Sequence, residues 1–252
     1  MKVTLLVPVR NEINGMRKIM PRIDRAWVDD ILVLDGGSTD GSVEYAEQQG
    51  CRVYRQKSPG MRSAYIESYD LIDADIVITF SPDGNSIPEL IPDLVRKMRI
   101  GYDMVIVSRY LEKAKSDDDT ALTKIGNYVF TLMINVLFGG KYTDAMVMFR
   151  AWRRSLPRDV GLTECRSGLY ERVLGRFISW EPQLSARSAL RKLRVAEISG
   201  DEPPRIAADG EVGGGVFFPA SRISHVKVGL ACLLVLIGDF VISLFGRSSE
   251  DH

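Results

Sequence analysis

Up to about Arg109, short runs of β-branched and aliphatic residues alternate with longer stretches in which apolar positions recur at helical spacing. The short runs are typical of buried strands, and the longer stretches are typical of helices that cover a sheet. The predicted strands are Val3–Val9, Asp30–Asp35, Cys51–Arg55, Asp75–Phe80 and Asp103–Val107. The predicted helices are Asn14–Arg25, Gly41–Gln49, Gly60–Ile72 and Pro88–Arg99, the last with a proline at its start.

This order of elements predicts an α/β fold. Strands that alternate with helices in short units normally lie parallel, because each helix returns the chain to the same edge of the sheet. We therefore expect a doubly wound, mostly parallel sheet in a domain of about residues 1–200. A loop or linker is predicted at 201–224, where Pro203-Pro204 and Gly213-Gly214-Gly215 break any regular pattern, and a hydrophobic segment at 225–246.

Two apolar stretches follow the alternating region. Thr120–Phe138 predicts a long helix that ends at Gly139-Gly140, and its apolar face fits either a buried packing helix or a surface that meets lipid. Val228–Phe245 is an 18-residue apolar run. Its twelve Leu, Ile, Val and Phe residues contribute about −4 to −7 kcal/mol to membrane insertion, against a cost of about 3 kcal/mol for Asp239. The balance predicts membrane association, as a short or partly inserted span, with a docked C-terminal helix as the alternative.

Charge and cysteine content narrow the class of protein. The 33 acidic and 33 basic side chains leave no basic excess, which argues against nucleic acid as a partner. Cys51, Cys165 and Cys232 are odd in number and widely spaced, so they predict neither a disulfide framework nor a zinc site, and a reducing compartment fits. Arg222 and Lys227 precede the C-terminal apolar run and predict that the globular part lies on the cytoplasmic side of the membrane.

Polar residues come directly after three of the predicted strands, in Pro8–Glu12, Asp35–Gly41 and Ser81–Asn85. In an open parallel sheet, ligands bind beyond the carboxyl ends of the strands. Asp35 is suited to accept hydrogen bonds from a base or ribose, and Asp83 and Asn85 offer oxygen ligands to a hard cation shared with a diphosphate. Each segment alone also fits a simple turn, but together they predict one binding site.

These motifs carry a family resemblance. Val7–Glu12, Asp35–Ser42 and Pro82–Asn85, followed by Pro88-Glu89, resemble in order and spacing the family 2 glycosyltransferases with a GT-A fold. The similarity to the dolichyl-phosphate mannose synthase branch lies in Ser108–Tyr110, Gly126-Asn127, Thr143-Asp144 and Phe149–Arg154. The resemblance covers roughly residues 1–200 and implies a Rossmann-like, mostly parallel sheet flanked by helices, with the C-terminal hydrophobic helix beyond it.

The resemblance also implies roles for individual residues. The nucleotide pocket would be lined by Pro8, Asn11, Glu12 and Asp35, with Arg62 in reach of the nucleotide. Asp83 and Asn85 would hold Mg²⁺ or Mn²⁺. The implied catalytic residues are Asp83, Asp144, Arg109 and Arg150, with Arg153 or Arg154 as further phosphate-binding candidates. Two positions depart from the family pattern: Ser81 replaces the first aspartate of the Asp-x-Asp motif, and Gly36 replaces the second acid of Asp-Asp-Gly-Ser.

The implied reaction is an inverting transfer from an NDP-sugar to a polyprenyl phosphate or a saccharide at the cytoplasmic membrane face, with the oligomeric state left open. A phosphate acceptor is already anionic, whereas a hydroxyl acceptor needs a general base, for which Asp144, Glu164 and Glu181 are unranked candidates. Three alternatives stay open: a sugar-nucleotide-binding protein without catalysis, which Ser81 favours, a nucleotidyltransferase, and a membrane scaffold.

Overall fold

The computed structural model describes residues 1–163, 178–206 and 222–246, with the side chains of the last range described for 227–244. These ranges contain one seven-stranded sheet. Its strands, in chain order, are β1 Val3–Val9, β2 Asp30–Asp35, β3 Arg52–Arg55, β4 Ile76–Thr79, β5 Met104–Ser108, β6 Arg150–Arg153 and β7 Val195–Ser199.

Helices connect and cover these strands. In chain order the described helices are α1 Ile13–Ile19, α2 Ser42–Gln48, α3 Met61–Ser68, α4 Ile91–Arg99, α5 Ala121–Phe138, α6 Leu156–Asp159, α7 Glu181–Leu190 and α8 Arg222–Gly246. Single turns of 3-10 helix occur at Met20–Arg22, Arg25–Trp27, Tyr69–Leu71 and Pro88–Leu90. The hydroxyl of Thr120 accepts a hydrogen bond from the Thr123 N–H and caps α5, which ends at Gly139 in the left-handed conformation.

The sheet is mostly parallel, as predicted. The strand order is β3-β2-β1-β4-β6-β5-β7, and β6 alone runs antiparallel to its neighbours β4 and β5. From β1 the chain adds β2 and β3 on one side and β4 on the other. The strand order therefore reverses between β1 and β4, and a parallel sheet offers a crevice for ligands at the carboxyl ends of such a pair.

Side chains from alternate positions of the strands form two cores, one on each face of the sheet. Leu6, Leu32 and Val77 contribute to the core beneath α3, α5, α7 and α8. Leu5, Val33 and Ile78 contribute to the opposite core, beneath α1, α2 and α4. Because both faces are covered, β1 is buried at all seven positions and reads in the sequence as a continuous apolar run.

Three predicted helices have different bounds in the structure. The helix predicted at Pro88–Arg99 begins with the 3-10 turn Pro88–Leu90, and α4 starts at Ile91. The helix predicted at Asn14–Arg25 ends at Ile19, and a 3-10 turn with Pro21 near its start follows it. Pro21 has no backbone N–H to donate to the carbonyl one turn earlier, so the α-helical hydrogen bonding stops there, although Met20 keeps a helical conformation. The helix predicted at Gly60–Ile72 ends as α3 at Ser68 and tightens into the 3-10 turn Tyr69–Leu71.

The predicted C-terminal hydrophobic helix is present as α8. By length and composition, Lys227–Leu244 of α8 and Ala121–Phe138 of α5 are both apolar enough to cross a membrane, with mean hydropathies of 2.2 and 1.3. In the predicted linker, an isolated β-bridge between Ser116 and Glu202 joins residues 201–206 to the loop that follows β5. The glycine-rich part of the linker lies outside the described residues. Cys51 and Cys232 are free thiols, and Cys165 also lies outside the described residues.

Candidate active site

A cleft of about 320 Å³ opens where the strand order reverses, at the carboxyl ends of β1 and β4. Pro8 and Glu12 come from the end of β1, and Ser81, Asp83 and Asn85 from the loop after β4. Arg109, which follows β5, and the segment 200–206, which follows β7, complete the polar wall. The tertiary structure thus brings together four strand ends that are far apart in the sequence.

The loop after β4 packs closely against α1. A Cβ atom added at Gly15 would lie 2.4 Å from the carbonyl oxygen of Pro82, so only glycine allows this approach. Gly84 adopts a positive φ of 101°, which turns the chain between Asp83 and Asn85. Asp83 is 7% exposed, and one oxygen of its carboxylate accepts the backbone N–H of Asn85 at 3.1 Å. The two predicted metal ligands therefore share one tight turn.

The side-chain oxygen of Asn85 fits a cation ligand. Its amide nitrogen donates to the carboxylates of Asp118 at 3.2 Å and Glu202 at 3.5 Å, which orients the amide group. The amide oxygen is buried and has no hydrogen-bond partner among the described residues. Buried polar atoms nearly always have a partner, and a hard cation takes amide and carboxylate oxygens. The residues present therefore fit a Mg²⁺ or Mn²⁺ ion.

Glu12 shows that the cleft is crowded with negative charge. Burial raises the pKa of the Glu12 carboxyl to about 8, and the nearby charge of Asp83 adds to this effect, while Arg205 opposes it. No group of three or more His, Cys, Asp or Glu side chains that could hold a metal occurs in the described part of the chain. A cation here would thus need oxygen ligands from a bound diphosphate as well as from Asp83 and Asn85.

Arg109 forms the cationic wall of the cleft. Its guanidinium contacts the Asp144 carboxylate at 2.6 and 3.0 Å and the Glu202 carboxylate at 3.2 Å. Burial alone would lower the pKa of Arg109, but the two carboxylates raise it above its usual value, so the side chain stays charged. Asp144 is fully buried and also accepts backbone N–H groups of the segment that follows it. The structure therefore places Asp144 behind Arg109, as the group that orients it.

Arg205 was not singled out from the sequence, yet it lines the cleft. Its guanidinium lies 3.0 Å from the Asp118 carboxylate and 3.8 Å from that of Asp83. The backbone N–H of Ile206 donates to the Asp83 carbonyl at 2.7 Å and holds the segment in place. The Pro- and Gly-rich composition of 201–224 concealed this contact. The available signal was the cluster of charges at Asp201, Glu202 and Arg205 directly after a strand.

Asn11 and Asp35 adjoin the cleft without lining it. The side-chain oxygen of Asn11 accepts the backbone N–H of Thr39 at 2.8 Å, and the Asp35 carboxylate accepts that of Ser38 at 2.9 Å. Asn11 itself has a positive φ of 59°. The loops after β1 and β2 are therefore tied together one strand away from Asp83, and a nucleotide base at Asp35 stays a prediction.

Arg62 and Arg150 are buried and are not among the residues that line the cleft. The Arg62 guanidinium donates to the Gln183 side chain at 2.5 Å. Arg150 is fully buried, and it donates to the carbonyl oxygens of Val147 and Ala145 and to the Ser185 hydroxyl. Burial lowers the pKa of Arg150. The contacts of Arg150 stabilise the segment between Asp144 and β6 that forms one wall of the cleft. A contact of Arg62 with the nucleotide and a contact of Arg150 with phosphate both stay predictions.

Arg153 and Arg154 lie at the wrong edge of the sheet to bind phosphate in the cleft. Arg153 pairs with Ile76, at the start of β4, because β6 runs antiparallel. It contacts the carboxylate of Asp103 at 2.6 Å, and Arg154 donates to the Ile72 carbonyl at 2.7 Å. The prediction that Arg153 or Arg154 binds phosphate is therefore wrong. Both side chains stabilise the edge of the sheet at the amino-terminal end of β4, away from the cleft.

Among the other base candidates, the structure describes Glu181, whose carboxylate is buried. Glu181 is 3% exposed and accepts the hydroxyl of Tyr65 at 3.1 Å, within the core under α7. Glu164 lies outside the described residues.

A second cavity, of about 260 Å³, shares Arg109 with the first. Lys115 and Lys124 line it together with two acidic residues, Asp117 and Asp119, and with Tyr110, Ala114 and Ser116. Lys124 stands in the first turn of α5, whose next exposed side chains are Ile125, Tyr128 and Val129. The second cavity thus joins cationic groups to the start of an apolar helix surface.

The family model described as "Glycosyl transferase family 2" matches residues 4–161, which include nearly all of β1, the Asp83 loop, Arg109 and Asp144. The chain belongs to glycosyl transferase family 2. The match covers the motifs on which the resemblance was based and confirms it.

Two curated relatives of this family 2 glycosyltransferase differ in coverage. Undecaprenyl-phosphate 4-deoxy-4-formamido-L-arabinose transferase of Klebsiella pneumoniae is 30% identical over 167 residues, which are 62% of this chain and 50% of the relative. Undecaprenyl-phosphate mannosyltransferase of Micrococcus luteus is 24% identical over 241 residues, 92% of this chain and 95% of the relative. The chain spans about half the length of the arabinose transferases that it matches.

Solved structures confirm the predicted GT-A fold. Glucosyl-3-phosphoglycerate synthase from Mycobacterium tuberculosis, crystallised with Mn²⁺, UDP-glucose and glycerol 3-phosphate, has a TM-score of 0.64 and 18% identity, and covers 94% of this chain and 80% of its own. A crystal structure of that enzyme with Mg²⁺ and UDP has a TM-score of 0.65, 18% identity and coverages of 94% and 79%. At this identity the likeness shows the fold alone.

Proposed function

We propose that this family 2 glycosyltransferase moves a sugar from an NDP-sugar to a polyprenyl phosphate, with inversion, at the cytoplasmic face of a membrane. The observation that carries the proposal is the pair of cavities that share Arg109. One cavity presents acidic and amide oxygens suited to a cation with a diphosphate, and the other presents lysines beside an apolar helix surface. The names of the curated relatives, which act on undecaprenyl phosphate, support the same acceptor.

On the donor side, Asp83 and Asn85 would hold Mg²⁺ or Mn²⁺, whose positive charge offsets the charge on a departing diphosphate. Arg109 is held permanently charged by Asp144 and Glu202, so it faces the phosphates without having to reorganise. Arg205 lies in the same cleft and would exchange its contacts with Asp83 and Asp118 for phosphate oxygens. The described solved structures with Mn²⁺ or Mg²⁺ support the use of a divalent cation in this fold.

On the acceptor side, the second cavity suits a phosphate monoester. Lys115 and Lys124 supply positive charge, and Arg109 connects the acceptor to the donor. A phosphate oxygen attacks as an anion and needs no general base, which agrees with Asp144 being fully buried behind Arg109. The apolar surface of α5 begins beside Lys124, where a polyprenyl chain attached to that phosphate would lie.

A saccharide acceptor is the second candidate function, and Glu12 favours it. This carboxyl lines the cleft, and its pKa of about 8 suits proton transfer near neutral pH. A hydroxyl acceptor would make transfer depend on Glu12, whereas a phosphate acceptor would not.

The test is a donor screen with the full chain in vesicles that contain undecaprenyl phosphate, following release of nucleoside diphosphate with and without Mn²⁺. We expect release that requires both the lipid phosphate and the cation. Asp83→Asn keeps the turn to Asn85 but removes the charge, and we expect a loss of at least about 100-fold. The matched control is Asp93→Asn, which alters an exposed pair with Arg96 on α4.

Three outcomes would contradict the proposal. Nucleoside diphosphate release that does not depend on the lipid phosphate but requires a saccharide favours the second candidate. Binding of the donor without release supports a silent sugar-nucleotide-binding protein. Equal activity of Asp83→Asn and Asp93→Asn would remove the first cleft from the reaction.

A further inference from the structure

One face of α8, called here its inner face, packs against the catalytic domain. Ala231, Val235 and Leu236 are buried on it, in the core shared with α5 and α7. Asp239 continues the same face and is 6% exposed. The helix that looks most like a membrane span is thus packed along one side against protein.

Asp239 fixes this packing through a buried polar contact with α7. Its carboxylate accepts hydrogen bonds from Arg187 at 2.7 and 2.9 Å and from the Gln183 side chain at 2.9 Å. The Asp239 side chain is 5% exposed and that of Arg187 is 19% exposed. A bidentate contact of this kind is strong and geometrically specific.

A helix that crossed the bilayer would have to give up these contacts. Asp239 lies well within the apolar stretch, so crossing would carry its carboxylate into hydrocarbon and separate it from Arg187. The buried apolar residues of the same face would also lose their protein neighbours without a gain, because lipid is no more apolar than the core. Both effects oppose a spanning position.

The outer face of α8 is apolar and exposed, and α5 presents a similar face. Ile242 on α8 and Tyr128 on α5 are among the exposed apolar residues. The others form one row on each helix, Leu230, Leu234, Ile237, Val241 and Leu244 on α8 and Leu122, Ile125, Val129, Leu132 and Val136 on α5. Both sets follow spacings of three and four, so each forms one stripe about 21 Å long. The two helices touch at Phe138 and Phe240, whose rings are 5.9 Å apart.

Charge identifies lipid as the partner of these stripes. Among the described side chains of α5 and α8, the exposed charged ones are Lys124 and Lys227, and both are positive. Cationic side chains beside an uncharged apolar stripe match an anionic leaflet, with the stripe in the acyl boundary and the lysines at the head groups. A protein partner would instead be expected to meet a polar rim and a regular set of hydrogen bonds.

We propose that α5 and α8 together form a surface that enters a single leaflet, and that the Asp239–Arg187 contact keeps α8 from crossing the bilayer. Both ends of α8 then lie on the same side of the membrane as the catalytic cleft. This inference rests on the membrane association in the proposed function, but it does not depend on the donor, the acceptor or the reaction.

The topology is tested with the full chain carrying an epitope tag at either end, probed by protease in right-side-out and inverted bacterial membrane vesicles. We expect both tags to be protected in right-side-out vesicles and cleaved in inverted ones. A C-terminal tag that is cleaved from the outside while the N-terminal tag is protected would overturn the proposal.

The surface is tested separately by vesicle flotation. Leu234→Glu and Val129→Glu place a charge in the two stripes, and we expect each to lower the fraction bound to anionic vesicles at least tenfold. Ile100→Glu is the matched control, since Ile100 is 65% exposed after α4, outside both stripes, and it should leave binding unchanged. If the stripe variants instead split a dimer in detergent and still bind vesicles, the stripes join two copies of the chain and the proposal is wrong.

These readouts separate the topology from the proposed function. Protease protection and flotation involve no sugar transfer, so an inactive protein with both tags on one side would overturn only the function. An active protein whose C-terminal tag faces the outside would overturn only the topology.

Discussion

Replacement of Asp144 by asparagine tests the ion cluster that holds Arg109. The change preserves the shape of the side chain and removes its charge. Asp144 makes the shortest contact with Arg109, at 2.6 Å, and both side chains are at most 10% exposed. The new amide would also direct N–H groups at a guanidinium that has only donors. Arg109 would therefore lose its orientation as well as most of its compensating charge.

The expected magnitude follows from burial. Removing one partner of a buried ion pair costs about 3–5 kcal/mol. Glu202 remains 3.2 Å from Arg109 and preserves part of the compensation, so we expect the lower end, a loss of about 3 kcal/mol in the free energy of unfolding. Glu89→Gln is the control, because the Arg22–Glu89 pair is about half exposed on both sides, and such pairs contribute about 0.2–1 kcal/mol.

Urea unfolding followed by tryptophan fluorescence measures both variants on one scale, provided that the slope with denaturant stays constant. Asp144→Asn should also lower transfer in the vesicle assay, since Arg109 would no longer be fixed at the wall between the two cavities. If Asp144→Asn lowers the free energy of unfolding no more than Glu89→Gln does, the cluster does not orient Arg109 in the way that we infer.

Two further predictions concern the Asp83 loop. The folded-state pKa of Glu12, about 8, lies above its usual value of 4.5, so its stabilising contribution is complete below pH 4.5 and is lost as the pH rises to about 8. Urea unfolding should therefore show Glu12→Gln gaining stability over the natural chain between these pH values, and a pH-independent difference would contradict the shift. Gly15→Ala should destabilise by about 1–3 kcal/mol because its Cβ meets Pro82. Gly126→Ala, with nothing within 4 Å in α5, should stabilise by about 0.5–1 kcal/mol, and thermal unfolding that moves both variants in the same direction would refute this reasoning.

Other acidic side chains of the cleft lie near Ser81, which replaces the first aspartate of the Asp-x-Asp motif. Ser81 lines the cleft beside Asp83, but Glu12 and Glu202 line it as well, and Asp118 contacts both Asn85 and Arg205. The acidic character of the place therefore comes from several segments, so one missing carboxylate does not by itself favour a silent binding protein.

The local sequence pattern was sufficient for the first five strands of the sheet and for the Asp83 turn, whereas β7, which pairs in parallel with β5, was not predicted. The bounds of β1 and β2 agree with the predicted ones, because a strand buried on both faces leaves an apolar run that needs no distant information. Asp83 and Asn85 could be named as candidate cation ligands from the sequence, because a turn that directly follows such a strand is recognised from a few consecutive residues. The same holds for α5, whose N-cap and final glycine bound a long apolar stretch.

The remaining features depend on contacts between distant parts of the chain. β6 carries an arginine at each end and was not predicted as a strand, since its place between β4 and β5 buries Arg150 among backbone carbonyls that only the folded chain supplies. Glu202 reaches Asn85 and Arg109 across 117 and 93 residues of sequence. Whether a charged side chain faces water, a substrate or a buried partner is determined by the dielectric and the neighbours around it. Those surroundings exist only after the sheet has assembled. The tertiary structure therefore decides that Asp144 orients Arg109 from behind and that Arg205 lines the cleft.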